Sequence, residues 1–140
     1  MRPEAIDALQ GVDLILHTGD IGAPEVLESL ESIASVIAIK GNNDRENWSK
    51  QLPESRTVTL GKIKLFLIHN VKELDLDPAG VGFQVVISGH SHKPSVVRRN
   101  GVLFVNPGSA GPRRFKLPVA VGKLWVTGST VQAEIIELLH

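Results

Sequence analysis

Residues 12–44 read VDLILHTGDIGAPEVLESLESIASVIAIKGNND, and their pattern decides the fold. Val12-Asp13-Leu14-Ile15-Leu16 is a short apolar run that ends at His17-Thr18-Gly19-Asp20, the pattern of a strand. Pro24 to Ala34 has helical periodicity, with Val26, Leu27, Leu30 and Ile33 on one face. Ser35 to Ile39 is a second apolar strand pattern, ending at Gly41-Asn42-Asn43-Asp44. Strand, helix and strand at this spacing predict a right-handed crossover and a parallel sheet. Polar residues then collect at the carboxyl ends of the strands, where open α/β sheets bind their ligands.

Upstream, Arg2 to Gln10 reads as a short helix that Gly11 stops. Downstream, the period changes. Thr57 to Leu60, Gly61, and Lys62 to Ile68 predict a tight hairpin whose second strand ends at His69-Asn70. Lys72 to Gly82 is irregular or a short helix, because Pro78, Gly80 and Gly82 break any long one. Gln84 to Ser88 carries the wholly apolar Val85-Val86-Ile87 and leads into Gly89-His90-Ser91-His92. A glycine at a strand end lets the backbone turn sharply and approach something bound there. Asn100-Gly101 lies between Ser95–Arg99 and Val102–Val105, a strong hairpin signal, and Asn106-Pro107-Gly108-Ser109 follows it. Lys116 to Val126 and Thr130 to Leu138 predict a last hairpin around Gly128-Ser129. The first half therefore reads as parallel α/β and the second as antiparallel β, in two sheets packed face to face. With no repeat, linker or low-complexity segment, residues 1–140 read as a single domain.

Composition narrows the function. Hydrophobic residues make up 42% of the chain and charged residues 21%, as in ordinary globular proteins. Fifteen Lys and Arg balance fifteen Asp and Glu, which argues against general nucleic-acid binding, since that needs a basic footprint. No apolar run reaches membrane-spanning length, and Met1-Arg2-Pro3-Glu4 lacks the apolar core of a signal peptide, so cytoplasm is the expected location. The absence of cysteine excludes disulfides, thiolate catalysis and Cys-type zinc sites. A metal here must be held by His, Asp, Asn or Glu.

Asp20, Asn42, His69 and the pair His90 and His92 each follow the end of an apolar strand. Singly, each has a bland explanation: Asp20 as a helix cap, Asn42 and Asn43 as turn residues, His69 as a core histidine. Together they would deliver oxygen and imidazole donors to one rim. That mixed set suits a divalent ion, Mn²⁺ first, with Zn²⁺, Fe²⁺ or Ni²⁺ as alternatives. His17 reads as a hydrogen-bonding support and His140 as an uninvolved terminus. Arg98-Arg99 and Arg113-Arg114 read as solvated pairs, and Trp48 and Phe115 as core residues.

Gly19-Asp20, Gly41-Asn42-Asn43-Asp44, His69 and Gly89-His90-Ser91-His92, in that order and spacing, resemble the calcineurin-like metallophosphoesterases. Lys93-Pro94 and Asn106-Pro107-Gly108-Ser109 resemble the small bacterial and archaeal phosphodiesterase branch, to which the eukaryotic retromer subunit Vps29 also belongs. The resemblance covers essentially the whole chain. It implies a four-layer α/β/β/α sandwich of two mixed sheets, and a two-metal centre that hydrolyses phosphodiesters with a metal-activated hydroxide. By motif, Asp20 would bridge the two metals, Asn42, His69 and His90 would complete one shell, and His92 would serve the other metal. The implied substrate is a small or nucleotide-like phosphodiester, and an oligomer is compatible with the pattern. The catalytic acid is not assigned, since Asn43 stands where some branches carry a histidine.

The family pattern begins with an apolar strand ending in Asp-x-His, and this chain begins at the helix that follows it. The first strand is thus missing from the pattern, and one metal keeps only Asp20 and His92. Three expectations follow. Codons upstream of Met1 should encode the strand. The apolar faces of Val12 to Leu16 and Ile37 to Ile39 should be exposed. The 140-residue chain should hold one ion and hydrolyse phosphodiesters weakly. The alternative is a non-catalytic, Vps29-like protein-binding scaffold.

Overall fold

The computed structural model describes residues 9–19, 24–41, 52–89, 94–107, 119–127 and 130–139. Within them, Leu14–His17 (β1) and Ser35–Ala38 (β2) pair in parallel, with Leu14 opposite Ser35 and His17 opposite Ala38. The Ile39 N–H adds a further bond to the His17 carbonyl at 3.0 Å. Helix α1 (Pro24–Glu31) joins the two strands and buries Leu30. It stops one turn short of the predicted Ala34. The Ser32 hydroxyl donates to the Ser29 carbonyl at 2.6 Å, and Ile33 bonds back to Leu30, tightening the last turn.

The second sheet holds Ser55–Leu60 (β3), Ile63–Ile68 (β4), Val85–Ile87 (β5), Ser95–Arg99 (β6) and Val102–Asn106 (β7), in the order β3-β4-β5-β7-β6. β3 with β4 and β6 with β7 are the predicted hairpins. The β6–β7 turn places Asn100 at φ 51° and Gly101 at φ 80°, the left-handed conformations that an Asn-Gly hairpin needs. The expectation of a wholly antiparallel second half is corrected here. β4, β5 and β7 run parallel, with Leu65, Val85 and Leu103 in one row and Leu67, Ile87 and Val105 in the next. Residues 70–84 carry the chain back to the start of β4. There Gln84 locks the register, its Oε1 accepting from Lys64 N–H at 2.7 Å and its own N–H donating to the Lys64 carbonyl at 2.9 Å. Central parallel strands are buried on both faces, so they read as unbroken apolar runs, as Val85-Val86-Ile87 does.

One face of this sheet forms the core, with Ile63, Leu65, Leu67, Val85, Ile87, Leu103 and Val105 joined by Ile39 and Val58. Leu14, Leu16 and Ile37 pack on it from β1 and β2. Leu124, Val126, Val131, Ala133 and Ile135 pack on it from the hairpin Val119–Thr127 (β8) and Thr130–Leu139 (β9). That is the expected face-to-face α/β sandwich. Ile15 and Ile39 are buried, and Leu14, Leu16 and Ile37 half-buried, so β1 and β2 expose less apolar surface than predicted. The opposite face meets residues 81–83. Phe83 packs on Phe66 with ring centroids 5.2 Å apart, and Lys64 lies over the Phe83 ring. Those residues follow a short 3₁₀ turn, Val71–Glu73.

Candidate metal centre

Burying a polar group costs free energy unless it is hydrogen-bonded, so buried polar side chains mark places where the fold holds something. Among the described residues they are Thr18, His69, Ser88 and Asn106. Thr18, His69 and Ser88 each directly follow a strand (β1, β4 and β5), and Asn106 is the last residue of β7. Parallel pairing brings the carboxyl ends of β4, β5 and β7 to one edge of the sheet. A hydrogen bond joins that edge to the first sheet: His69 Nδ1 lies 2.7 Å from the Thr18 carbonyl. A carbonyl only accepts, so Nδ1 carries a proton and donates it here. A metal-binding histidine is typically oriented in this way, its other nitrogen donating to a carbonyl or carboxylate.

The chain crowds tightly around this ring. A Cβ at Gly19, where φ is +104°, would lie 2.6 Å from Gly41 N and 2.8 Å from His69 Nδ1. A Cβ at Gly89 would lie 2.8 Å from Thr18 Oγ1. Three glycines from three strand ends thus converge about His69, and each immediately precedes a predicted ligand: Asp20, Asn42 and His90. Asp20, Asn42, Asn43, His90 and His92 themselves lie outside the described residues, as do residues 2–8 of the predicted first helix, Trp48, Arg113-Arg114, Phe115 and His140. Among the described residues, one donor suited to a metal, the oriented His69 imidazole, stands beside glycine turns at Gly19 and Gly89 where a Cβ would clash.

His17 is the supporting residue predicted, its Nδ1 accepting from the Gly19 N–H at 3.2 Å. Asn70 caps the Val71–Glu73 turn, its Oδ1 accepting from Lys72 N–H at 3.1 Å, and so turns the chain after His69. Arg98 and Arg99 are exposed on β6, as expected of a solvated pair, with the Arg99 guanidinium 6.0 Å from the Phe104 ring centroid. Thr18, Ser88 and Asn106 were missed as members of the rim. Their signal was available, since each is a small polar residue at the very end of an apolar strand.

Residues 1–127 match the model of the calcineurin-like phosphoesterase superfamily domain. A probable metallophosphoesterase of Methanothermobacter thermautotrophicus is 35% identical over 142 residues, covering 96% of this chain and 81% of the relative. A phosphodiesterase of Methanocaldococcus jannaschii is 31% identical over 114 residues, covering 71% of this chain and 68% of that protein. The crystal structure of Entamoeba histolytica Vps29 with Zn²⁺ superposes with a TM-score of 0.78 at 21% identity, over 99% of this chain and 90% of that one, which speaks for the fold alone. No helix among the described residues is long and apolar enough to cross a membrane.

Proposed function

This chain belongs to the calcineurin-like phosphoesterase superfamily, and from that premise we propose that it is a metal-dependent phosphodiesterase acting on a small or nucleotide-like phosphodiester. Residues 1–140 form one such domain, working in the cytoplasm. The observation that carries the reading is His69, its ring oriented by the Thr18 carbonyl at 2.7 Å, amid three converging glycine turns. The relative named as a phosphodiesterase supports the reaction class.

Asp20, Asn42, His69 and His90 would hold one divalent ion, Mn²⁺ or, failing that, Zn²⁺, Fe²⁺ or Ni²⁺; Asp20 and His92 would contribute to a second. Bound ions would supply charge neutralisation at the phosphoryl oxygens and a nucleophilic water at neutral pH. The chain's own residues do the positioning. The Thr18 carbonyl accepts from His69 Nδ1–H and so orients the ring. His17 holds the Gly19 turn that leads into Asp20.

Hydrolysis of bis(p-nitrophenyl) phosphate with added Mn²⁺ tests this. Slow turnover that EDTA and His90→Ala both abolish is expected. Ion binding with no turnover would hand the chain to the binding-platform reading. Turnover that survives EDTA would contradict metal dependence.

A further inference from the structure

The parallel β5–β7 ladder ends in an unusual way. Leu103 N–H donates to the Gln84 carbonyl at 2.9 Å, and Ser88 N–H donates to the Val105 carbonyl at 3.0 Å. By the same alternation, the next rung would be donated by the N–H of residue 107 to Ser88. Residue 107 is proline and has no N–H. One residue on, the pairing is resumed by a side chain: Asn106 Nδ2 donates to the Gly89 carbonyl at 3.0 Å. The Gly89 N–H meanwhile donates to the His69 carbonyl at 2.9 Å. Gly89 is therefore held through its amide by the end of β4 and through its carbonyl by the end of β7. Thr18 Oγ1 closes the third side, 2.8 Å from where a Cβ would stand. Asn106 is itself 8% exposed, so its amide works away from competing water.

We infer that Asn106 is a positioning residue for the metal site: its side-chain amide fixes the Gly89 carbonyl and so sets the direction in which the chain enters His90. The inference rests on the reading of His90 as a ligand. In this role Asn106 acts through the Gly89 backbone. One line of bonds, Asn106 to Gly89 to His69 to Thr18, then ties β7, β5, β4 and β1 together beneath the rim.

The test compares Asn106→Leu, which keeps the branched shape without the donor, with Val58→Ala, a buried residue of β3 well removed in the strand order. Calorimetric titration with Mn²⁺ should show about a tenfold higher Kd for Asn106→Leu, the loss typical when a group that orients a ligand is removed. Val58→Ala should bind as the unmodified chain does, although its Tm falls. In the metal-free chain, the Gly89 carbonyl ¹³C resonance should move in Asn106→Leu and stay in place in Val58→Ala. If Asn106→Leu does not fold, Asn106→Ala is read in the same way; failure of both to fold would make the bond structural and overturn the inference. So would an unchanged Kd, or an equal loss in Val58→Ala. If the unmodified chain binds no Mn²⁺, the phosphodiesterase reading fails, and the Gly89 resonance decides alone: unmoved, it overturns the positioning role.

Discussion

β5 and β6 are short strands of one sheet, yet they live in opposite surroundings. Val85, Val86 and Ile87 of β5 are buried on both faces, whereas every residue of β6 is exposed, including Val96 and Val97. β5 has β4 and β7 as neighbours; β6 is the edge. The difference extends past the strand ends. Beyond β5 lie Ser88, which is buried, and Gly89, which is bonded to the ends of β4 and β7, leading to His90. Beyond β6 lies an Asn-Gly turn facing open space. Ser95 pairs with Asn106 and Arg99 with Val102, so Arg98 and Arg99 stand at the end of the sheet away from the rim. β5 leads into a predicted ligand, whereas β6 leaves its charges in water.

That comparison breaks first at the ligands. His90→Ala, at the exit of a central strand, should abolish Mn²⁺ binding, whereas His92→Ala should change it little; equal losses would mean that the two histidines share one ion. Next comes the core. Leu65→Ala removes a side chain with no exposed surface and should cost about 2–5 kcal/mol in urea unfolding. A loss under about 1 kcal/mol would mean that the central strands are looser than their burial implies. Gly89→Ala should cost about 1–3 kcal/mol, because Thr18 Oγ1 occupies the space at 2.8 Å. It should also weaken Mn²⁺ binding, and normal affinity with normal Tm would show that the turn yields freely. Smallest is the edge: Val97→Thr on β6 should stay within about 0.5 kcal/mol of the unmodified chain. A larger loss would reveal a covering partner for β6.

Much of this was legible in the residues. The strand–helix–strand pattern of 12–39 and the Asn100-Gly101 hairpin depend on local periodicity and turn chemistry, and both appear where expected. The parallel centre was harder to read. Val85-Val86-Ile87 has no alternation to declare a direction, and β7 joins β5 only after β6 has passed outside it. The length of α1 was overestimated because Ile33 continues the apolar face while Ser32 bonds back to Ser29. At the site, histidines and aspartate announce themselves by chemistry. Thr18 and Asn106 act through a carbonyl and an amide on residues 51 and 17 positions away, and such pairings exist only once the strands are assembled.

The central claim is that the residues following β1, β2, β4 and β5 build one tight ion site from Asp20, Asn42, His69 and His90. Calorimetric titration of the metal-free 140-residue chain with Mn²⁺ addresses it directly. One tight equivalent per chain, lost in His90→Ala, is the expected result. Two tight equivalents, or a single one that survives His90→Ala, would contradict it.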